Sequence, residues 1–342
     1  MEKNVSVIIP CHNVSETVSR TWDSLKAQTI GLSALECIFV DDASDDGGAT
    51  WETLSKIEAE SPESVLILHL EENLRQGGAR NAALQHASGE YMIFLDADDT
   101  LSPETCASLF GQAIEEKTDI IQFRHHFVRD DDSGVPLPKD KPPEGRRLFD
   151  LTNDADRSPF LNGFIATFGC TNKFYRMELV RRTRSTFAEH RYYEEPKFVY
   201  PLFLYANRVL LTDDAYYHYH WHADSTMTSG LGKHLLDHPQ VQLELLEDLM
   251  SREDLFKRFR TEIETQFVFS FYCETLLFAK ANNGFLPLAY FQQMQQICRT
   301  IFPDALRNET LCSIAAAKPM LSSLSMSFSS QEELNRFIYD AV

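Results

Sequence analysis

Tyr91-Met-Ile-Phe-Leu-Asp-Ala-Asp-Asp99 is the stretch on which the fold is decided. Five apolar residues in a row make a strand buried on both faces. The run stops at a tight group of carboxylates. A second stretch repeats the pattern, because Glu36-Cys-Ile-Phe-Val40 ends directly in Asp41-Asp42. Working outward, Val5 to Ile9 closed by Pro10, Ser64 to His69, and Thr118 to Val128 read as further strands. Between them, Val18, Trp22 and Leu25 fall at helical spacing, and Thr50–Ala59, Gly78–Ala87 and Pro103–Glu116 read as helices. Asn13-x-x-Glu16 has the spacing of a capping box for the first of these. Strand–helix alternation of this kind implies an α/β layer fold with a largely parallel sheet. After about Gly230 the β-branched runs end and helical patterns take over. A helical C-terminal unit is expected there, with Phe267, Phe271 and Phe278 in its core.

The 342 residues carry a net charge of −19, from 32 Lys and Arg against 51 Asp and Glu. Such a balance argues against nucleic acid as a partner, since phosphate contacts need clustered cations. It equally disfavours an anionic membrane surface. The seven cysteines are scattered and form no Cys-x-x-Cys pair, which points to free thiols in a reducing cytoplasm. The N-terminal residues lack a signal-peptide layout, and no apolar run approaches the length of a membrane span.

The position of the carboxylates matters more than their number. In open α/β sheets, ligands bind beyond the carboxyl ends of the strands. Asp41, Asp42, Asp96, Asp98 and Asp99 would share that edge, where a hard divalent cation is their natural partner. The competing reading is that these aspartates cap helices or turn the chain. Asp130-Asp-Asp132 reads as a solvated loop.

An ordered set of motifs then resembles a known family. Its members along the chain are Val5-Ser-Val-Ile-Ile-Pro-Cys-His-Asn13, Phe39-Val-Asp-Asp-Ala-Ser-Asp-Asp-Gly47, Asn73 with Gly77-Gly-Ala-Arg-Asn81, and Phe94-Leu-Asp-Ala-Asp-Asp99. Asn172-Lys-Phe-Tyr-Arg176, Glu194-Glu-Pro-Lys-Phe198 and Tyr217-x-Tyr-x-x-His-x-x-Ser225 complete it. Together they resemble the bacterial inverting glycosyltransferases of family 2, whose GT-A fold is a Rossmann-like, mixed but mostly parallel sheet flanked by helices. The resemblance implies a catalytic domain over residues 1–228, with a nucleotide-binding half at 1–116 and an acceptor half at 117–228. Residues 229–342, which the resemblance does not cover, form the helical unit.

The resemblance also implies roles. The reaction would move a sugar from a nucleotide diphosphate, UDP by expectation, to a glycan or lipid-linked acceptor in surface polysaccharide synthesis. Mg²⁺ or Mn²⁺ would be held by Asp98, with Asp99 and His222 as further candidate ligands. Asp96 would meet the ribose or a metal-bound water, and the register among the three aspartates stays open. Asp42 would accept from the base, with Asp41, Pro10 and His12 beside it. Arg80 would either reach the diphosphate or brace the aspartates. Glu195 would be the base, although relatives carry Asp there and a salt-bridged helix start is the competing reading. The changes at Glu195 and His12 leave a non-catalytic, nucleotide- or glycan-binding relative as the alternative. The C-terminal helices are candidates for contact with a second copy of the chain, and the inner membrane face for peripheral docking.

Overall fold

The structure is a computed structural model, and it describes residues 3–130, 137–138, 144–221, 234–281 and 285–341. The chain divides into two compact units. One comprises Met1–Phe160 with Ala166–Ala223, the other Leu161–Ile165 with Asp224–Val342. The boundary expected between residues 228 and 229 lies outside the described residues.

The first unit alternates as the apolar runs dictate. Strands β1 (Val5–Cys11), β2 (Leu35–Asp41), β3 (Val65–His69) and β4 (Tyr91–Phe94) are interleaved with helices α1 (Val18–Lys26), α2 (Ala49–Glu60) and α3 (Arg75–Leu84). The short β5 (Thr100–Leu101), helix α4 (Thr105–Glu116), β6 (Ile120–Arg129), β7 (Arg147–Asp150) and α5 (Asp154–Asn162) follow. The unit closes with β8 (Lys173–Arg176), α6 (Met177–Thr183), α7 (Glu195–Tyr205) and β9 (Arg208–Trp221). The sheet order is β3-β2-β1-β4-β8-β6-β9-β5, with β7 also paired to β9.

Register explains where the carboxylates go. β1 pairs in parallel with β2 and β4, so that Cys11 faces Asp41 and Ile8 faces Phe94. β3 extends the parallel set and places His69 opposite Asp41. The carboxyl ends of β2 and β4 therefore meet at one edge. β8 is antiparallel to β4, with Ile93 opposite Phe174. Its amino end, and the loop just before it, consequently reach that same edge. The core between sheet and helices is aromatic-rich: Trp22 packs edge-on against Phe39, Tyr91 stacks on Phe174, and Phe187 stacks on Phe198 at 4.3 Å.

The capping box at Asn13 is not formed. Helix α1 starts at Val18, and Asn13 instead exchanges hydrogen bonds with Asp45, donating to its Oδ1 at 2.7 Å and accepting its N–H at 3.0 Å. The positive φ of 56° at Asn13 turns the chain before a helix can begin.

The described secondary-structure elements of the second unit are all helices, from Asp237–Ser251 to Gln331–Ala341. A π-helical turn, Val268–Glu274, interrupts its central helix. Phe267 and Phe271 are buried and stacked at 4.7 Å, as their spacing predicts, and Phe278 is half-buried against His238. The seven cysteines are free. Among the described residues no helix is long and apolar enough to cross a membrane.

Candidate active site

Two groups of acids line the strand-end edge. In the first, Asp41 and Asp42 are both buried. Asp41 pairs with His69 Nδ1 at 2.8 Å and accepts the Ser44 N–H at 3.2 Å. Asp42 Oδ1 accepts the Leu74 N–H at 2.8 Å, at the entrance to α3. Burial pushes the Asp42 carboxyl up, and the Leu74 and Arg75 N–H groups pull it back. Neither residue caps α2. Asp46 does so, accepting the Thr50 N–H at 2.9 Å and its hydroxyl at 2.7 Å.

His12 is exposed beside the buried Pro10. Its Nδ1 lies 2.9 Å from the Asp42 carbonyl, and Asn73 Nδ2 lies 3.2 Å from each ring nitrogen. The ring is thereby held in one orientation. Asn13, Ala43 and Arg75, all next to this group, hold φ values of 56°, 51° and 62°. Left-handed backbone is costly for residues with side chains and gathers where a fold builds a site.

The second group is the loop Asp96-Ala-Asp-Asp99. Its backbone hangs from α1: the Thr21 hydroxyl lies 2.9 and 2.8 Å from the Ala97 and Asp99 carbonyls, and Arg20 Nη2 donates to the Asp98 carbonyl at 2.6 Å. Arg20 also pairs with Asp130 at 2.7 Å, and Asp130 with His220 Nδ1 at 2.6 Å. Asp130 is exposed, as a solvated loop residue would be, and also anchors this loop; Asp131 and Asp132 lie outside the described residues. Tyr217 on β9 donates to Asp99 Oδ2 at 2.6 Å and accepts the Asp96 N–H at 3.1 Å. The His220 N–H donates to Asp99 Oδ1 at 2.8 Å. Asp99, expected among the metal ligands, is therefore buried with both oxygens spent on the fold. Burial, then the charges of Asp98 and Asp96, push its carboxyl up.

Of the two roles expected of Arg80, the bracing one is visible in its contacts. It is 1% exposed. Nη1 donates to Glu194 Oε1 at 2.6 Å and Nη2 to Asp96 Oδ1 at 2.9 Å. Its guanidinium lies 5.8 Å from the Phe94 ring and 5.4 Å from that of Phe187. The fork geometry suits a bridge between two carboxylates. Gly77, one turn earlier, makes the approach possible, because a Cβ there would stand 2.1 Å from the Ala188 carbonyl oxygen. Burial pushes the Glu194 carboxyl up to about 7 despite the arginine.

Removing this cation should be severe. Arg80→Met leaves the buried Glu194 and the half-buried Asp96 without their shared cation, at an expected cost of about 3–5 kcal/mol where both are ionised. The cost should shrink from about pH 9 to about pH 6, because Glu194, at about 7 with the arginine beside it, rises further without it and takes up its proton across that range. Urea unfolding at the two pH values checks both size and sign.

Glu195 opens α7 with Pro196 behind it, so the helix-start reading holds. The helix start also delivers the side chain to the edge. Glu195 Oε1 accepts the Cys170 N–H at 2.6 Å, and Oε2 has no hydrogen-bond partner among the described residues. The Glu195 charge acts on Asp96, on Arg80 and on Tyr219 of β9. Glu194, Glu195, Arg80, Asp96, Asp98 and Asp99 thus come together, while Pro10, His12, Asp41 and Asp42 form the neighbouring group on β1 and β2. His222 lies outside the described residues.

A metal would find hard oxygen donors here. Asp98 is half-buried on a loop fixed through its backbone, with Asp96 two residues away. Among the described residues no three His, Cys, Asp or Glu side chains are grouped to enclose an ion. That donor set fits Mg²⁺ or Mn²⁺ carried by one or two carboxylates and completed by substrate phosphates.

Sequence reasoning missed Arg20, Glu194 as a brace, and the anchoring role of Tyr217. Tyr217 had a signal, since residues 217, 219 and 221 alternate as aromatic groups along one face of a strand. Arg20 had none; its partner carbonyl is 78 residues away.

The family profile described as "Glycosyl transferase family 2" matches residues 6–184. The poly(ribitol-phosphate) beta-glucosyltransferase of Bacillus spizizenii is 26% identical over 216 residues, covering 63% of this chain and 32% of that protein. The chain thus spans about a third of the length of that curated relative. Among solved structures, Staphylococcus aureus TarS 1–349 in complex with UDP-GlcNAc superposes with a TM-score of 0.58 at 22% identity, covering 89% of this chain and 92% of the other. The mannosyltransferase PcManGT of Pyrobaculum calidifontis, in complex with GDP-Man and Mn²⁺, gives 0.52 at 16% identity, covering 94% and 88%. These likenesses establish the GT-A fold. With the profile matching more than half of its length, the chain belongs to glycosyl transferase family 2.

Proposed function

We propose that the chain is a metal-dependent, inverting glycosyltransferase that moves a sugar from a UDP-linked donor to a hydroxyl of a glycan or lipid-linked acceptor in surface polysaccharide synthesis. The observation that carries this reading is the placement of Glu195. It is held by one oxygen only, and it converges with Asp96 on the strand-end loop that presents Asp98.

Each residue then has a task. Asp42 accepts from the N–H edge of the base, and the fixed ring of His12 offers it a flat surface. Asp96, steadied by Arg80, meets the ribose. Asp98 holds the divalent cation, which supplies positive charge where the diphosphate leaves. Glu195 takes the proton of the acceptor hydroxyl on the opposite face of the sugar. The UDP-GlcNAc bound by TarS, the GDP-Man and Mn²⁺ bound by PcManGT, and the poly(ribitol-phosphate) acceptor in the name of the Bacillus relative all support donor, ion and acceptor of these classes.

Calorimetry with UDP tests the donor half. Binding in Mn²⁺ should weaken about tenfold or more in EDTA, a loss of about 1.4 kcal/mol or more. Equal affinity with and without metal would overturn the metal-dependent reading.

A further inference from the structure

The structure holds a buried cation that the proposed mechanism does not use. Lys173, at the start of β8, is 0% exposed. Its ammonium donates to the Asn172 Oδ1 at 2.9 Å, the Thr167 hydroxyl at 3.2 Å and the Gly169 carbonyl. Three donors thus meet three neutral acceptors, all within the loop that precedes β8. Among the described residues no carboxylate lies within ion-pair distance. A buried ammonium without a carboxylate beside it is expensive, and lysine is the cation that responds by shedding its proton. Burial accordingly pushes Lys173 down to about 7, with the Glu195 charge pulling it back up.

The acceptor at Gly169 is the informative one. The Gly169 carbonyl and the Cys170 N–H belong to one planar peptide group. Lys173 donates to its oxygen, and its N–H donates to Glu195 Oε1 at 2.6 Å. A methyl group at Gly169 would sit 3.9 Å from that same Oε1, so the loop passes directly against the carboxylate. Chained hydrogen bonds polarise one another, and a cation on the carbonyl strengthens what the N–H offers to an anion.

We propose that Lys173 is a positioning residue for Glu195, acting through the single Gly169–Cys170 peptide to orient its carboxylate and favour the ionised form. The inference rests on the reading of Glu195 as the base. The other charged and titratable groups on which the Glu195 charge acts are Glu194, Asp96, Arg80 and the neutral Cys170, Tyr175 and Tyr219. Facing Lys173 on the other side is His125, which burial and the lysine charge keep neutral.

The test is Lys173→Met, which keeps length and removes charge and donors. Three readouts are taken on the full chain. Donor turnover, measured as UDP release from UDP-GlcNAc with Mn²⁺, should fall about tenfold, the value of one charge-assisted hydrogen bond, with KM for the donor unchanged. The Glu195 carboxyl carbon, followed by NMR and assigned by its loss in Glu195→Gln, should titrate at higher pH than in the parent. The melting temperature should hold or rise, because an unpaired buried charge has been removed. Lys173→Gln, which restores a donor to the Gly169 carbonyl without charge, should move the titration in the same direction and serves if the Met variant does not fold. An unmoved Glu195 titration overturns the inference, as does a melting temperature that falls in step with activity. If Glu195→Gln turns over normally, the base reading itself has failed; if Glu195→Gln is inactive and Lys173→Met behaves as the parent, only the role of Lys173 has.

Discussion

Glu195→Gln is expected to lower turnover about 10²- to 10⁴-fold, the usual value of a positioned general base. Gln keeps the shape of the side chain and an oxygen that can accept the Cys170 N–H, which Glu195 does at 2.6 Å. It cannot take a proton. The loss should therefore appear in kcat, with donor KM and UDP affinity unchanged, because no donor contact has been altered. Helix α7 should be unaffected, since Pro196 and the Glu194–Arg80 pair still fix its start. Glu195→Asp asks a finer question. Family relatives carry Asp here by resemblance, but in this chain Asp would retract the carboxylate by one methylene from a peptide N–H placed for Glu. Turnover should fall in this variant too, though by less. Normal turnover in Glu195→Gln would send the search for a base elsewhere.

Asp98→Asn should cost about 10²–10³-fold in turnover, the scale of a lost transition-state electrostatic contact. The loop should keep its shape, because Arg20 holds it through the Asp98 backbone carbonyl. An unchanged melting curve with lost turnover separates this residue from Asp99. Asp99→Asn disturbs the bonds from the Tyr217 hydroxyl and the His220 N–H, 2.6 and 2.8 Å long, and should lower stability first. UDP affinity of Asp98→Asn in Mn²⁺ should fall to the value the parent shows in EDTA. Full turnover in Asp98→Asn would sink the metal assignment.

Much of this fold is legible because buried parallel strands write themselves as unbroken apolar runs. The four runs at Val5, Glu36, Ser64 and Tyr91 are the parallel strands β1 to β4, and the more polar stretch from Thr118 is also a strand, all with ends shifted by a few residues. The antiparallel partners were harder to see. Lys173–Arg176 has four residues and a lysine at its head, and nothing in its pattern separates it from a loop. The site shows the same division. Carboxylates at strand ends announce themselves by position. Which of them faces a ligand and which is consumed by the fold depends on residues 114 and 118 positions away, as with Arg80 to Glu194 and Tyr217 to Asp99. Those are tertiary facts, and no local spacing encodes them. The capping box at Asn13 failed for the same reason, because Asp45 outcompeted a helix end for the same side chain.

The Arg80 bridge also has a consequence for the order in which the site can exist. Arg80 and Asp96 leave the ribosome 16 residues apart, but Glu194 follows Arg80 by 114. At about 5–20 residues per second, that is a delay of roughly 6–23 seconds. Once Asp96 has been made, and until Glu194 follows, the first four strands and their helices can pack with the arginine satisfied on one side only. Glu195 arrives with the residue that completes the bridge. The proposed base and the completed bridge are thus synthesised together, ahead of Tyr217 and His220, whose bonds to Asp96 and Asp99 close the scaffold last.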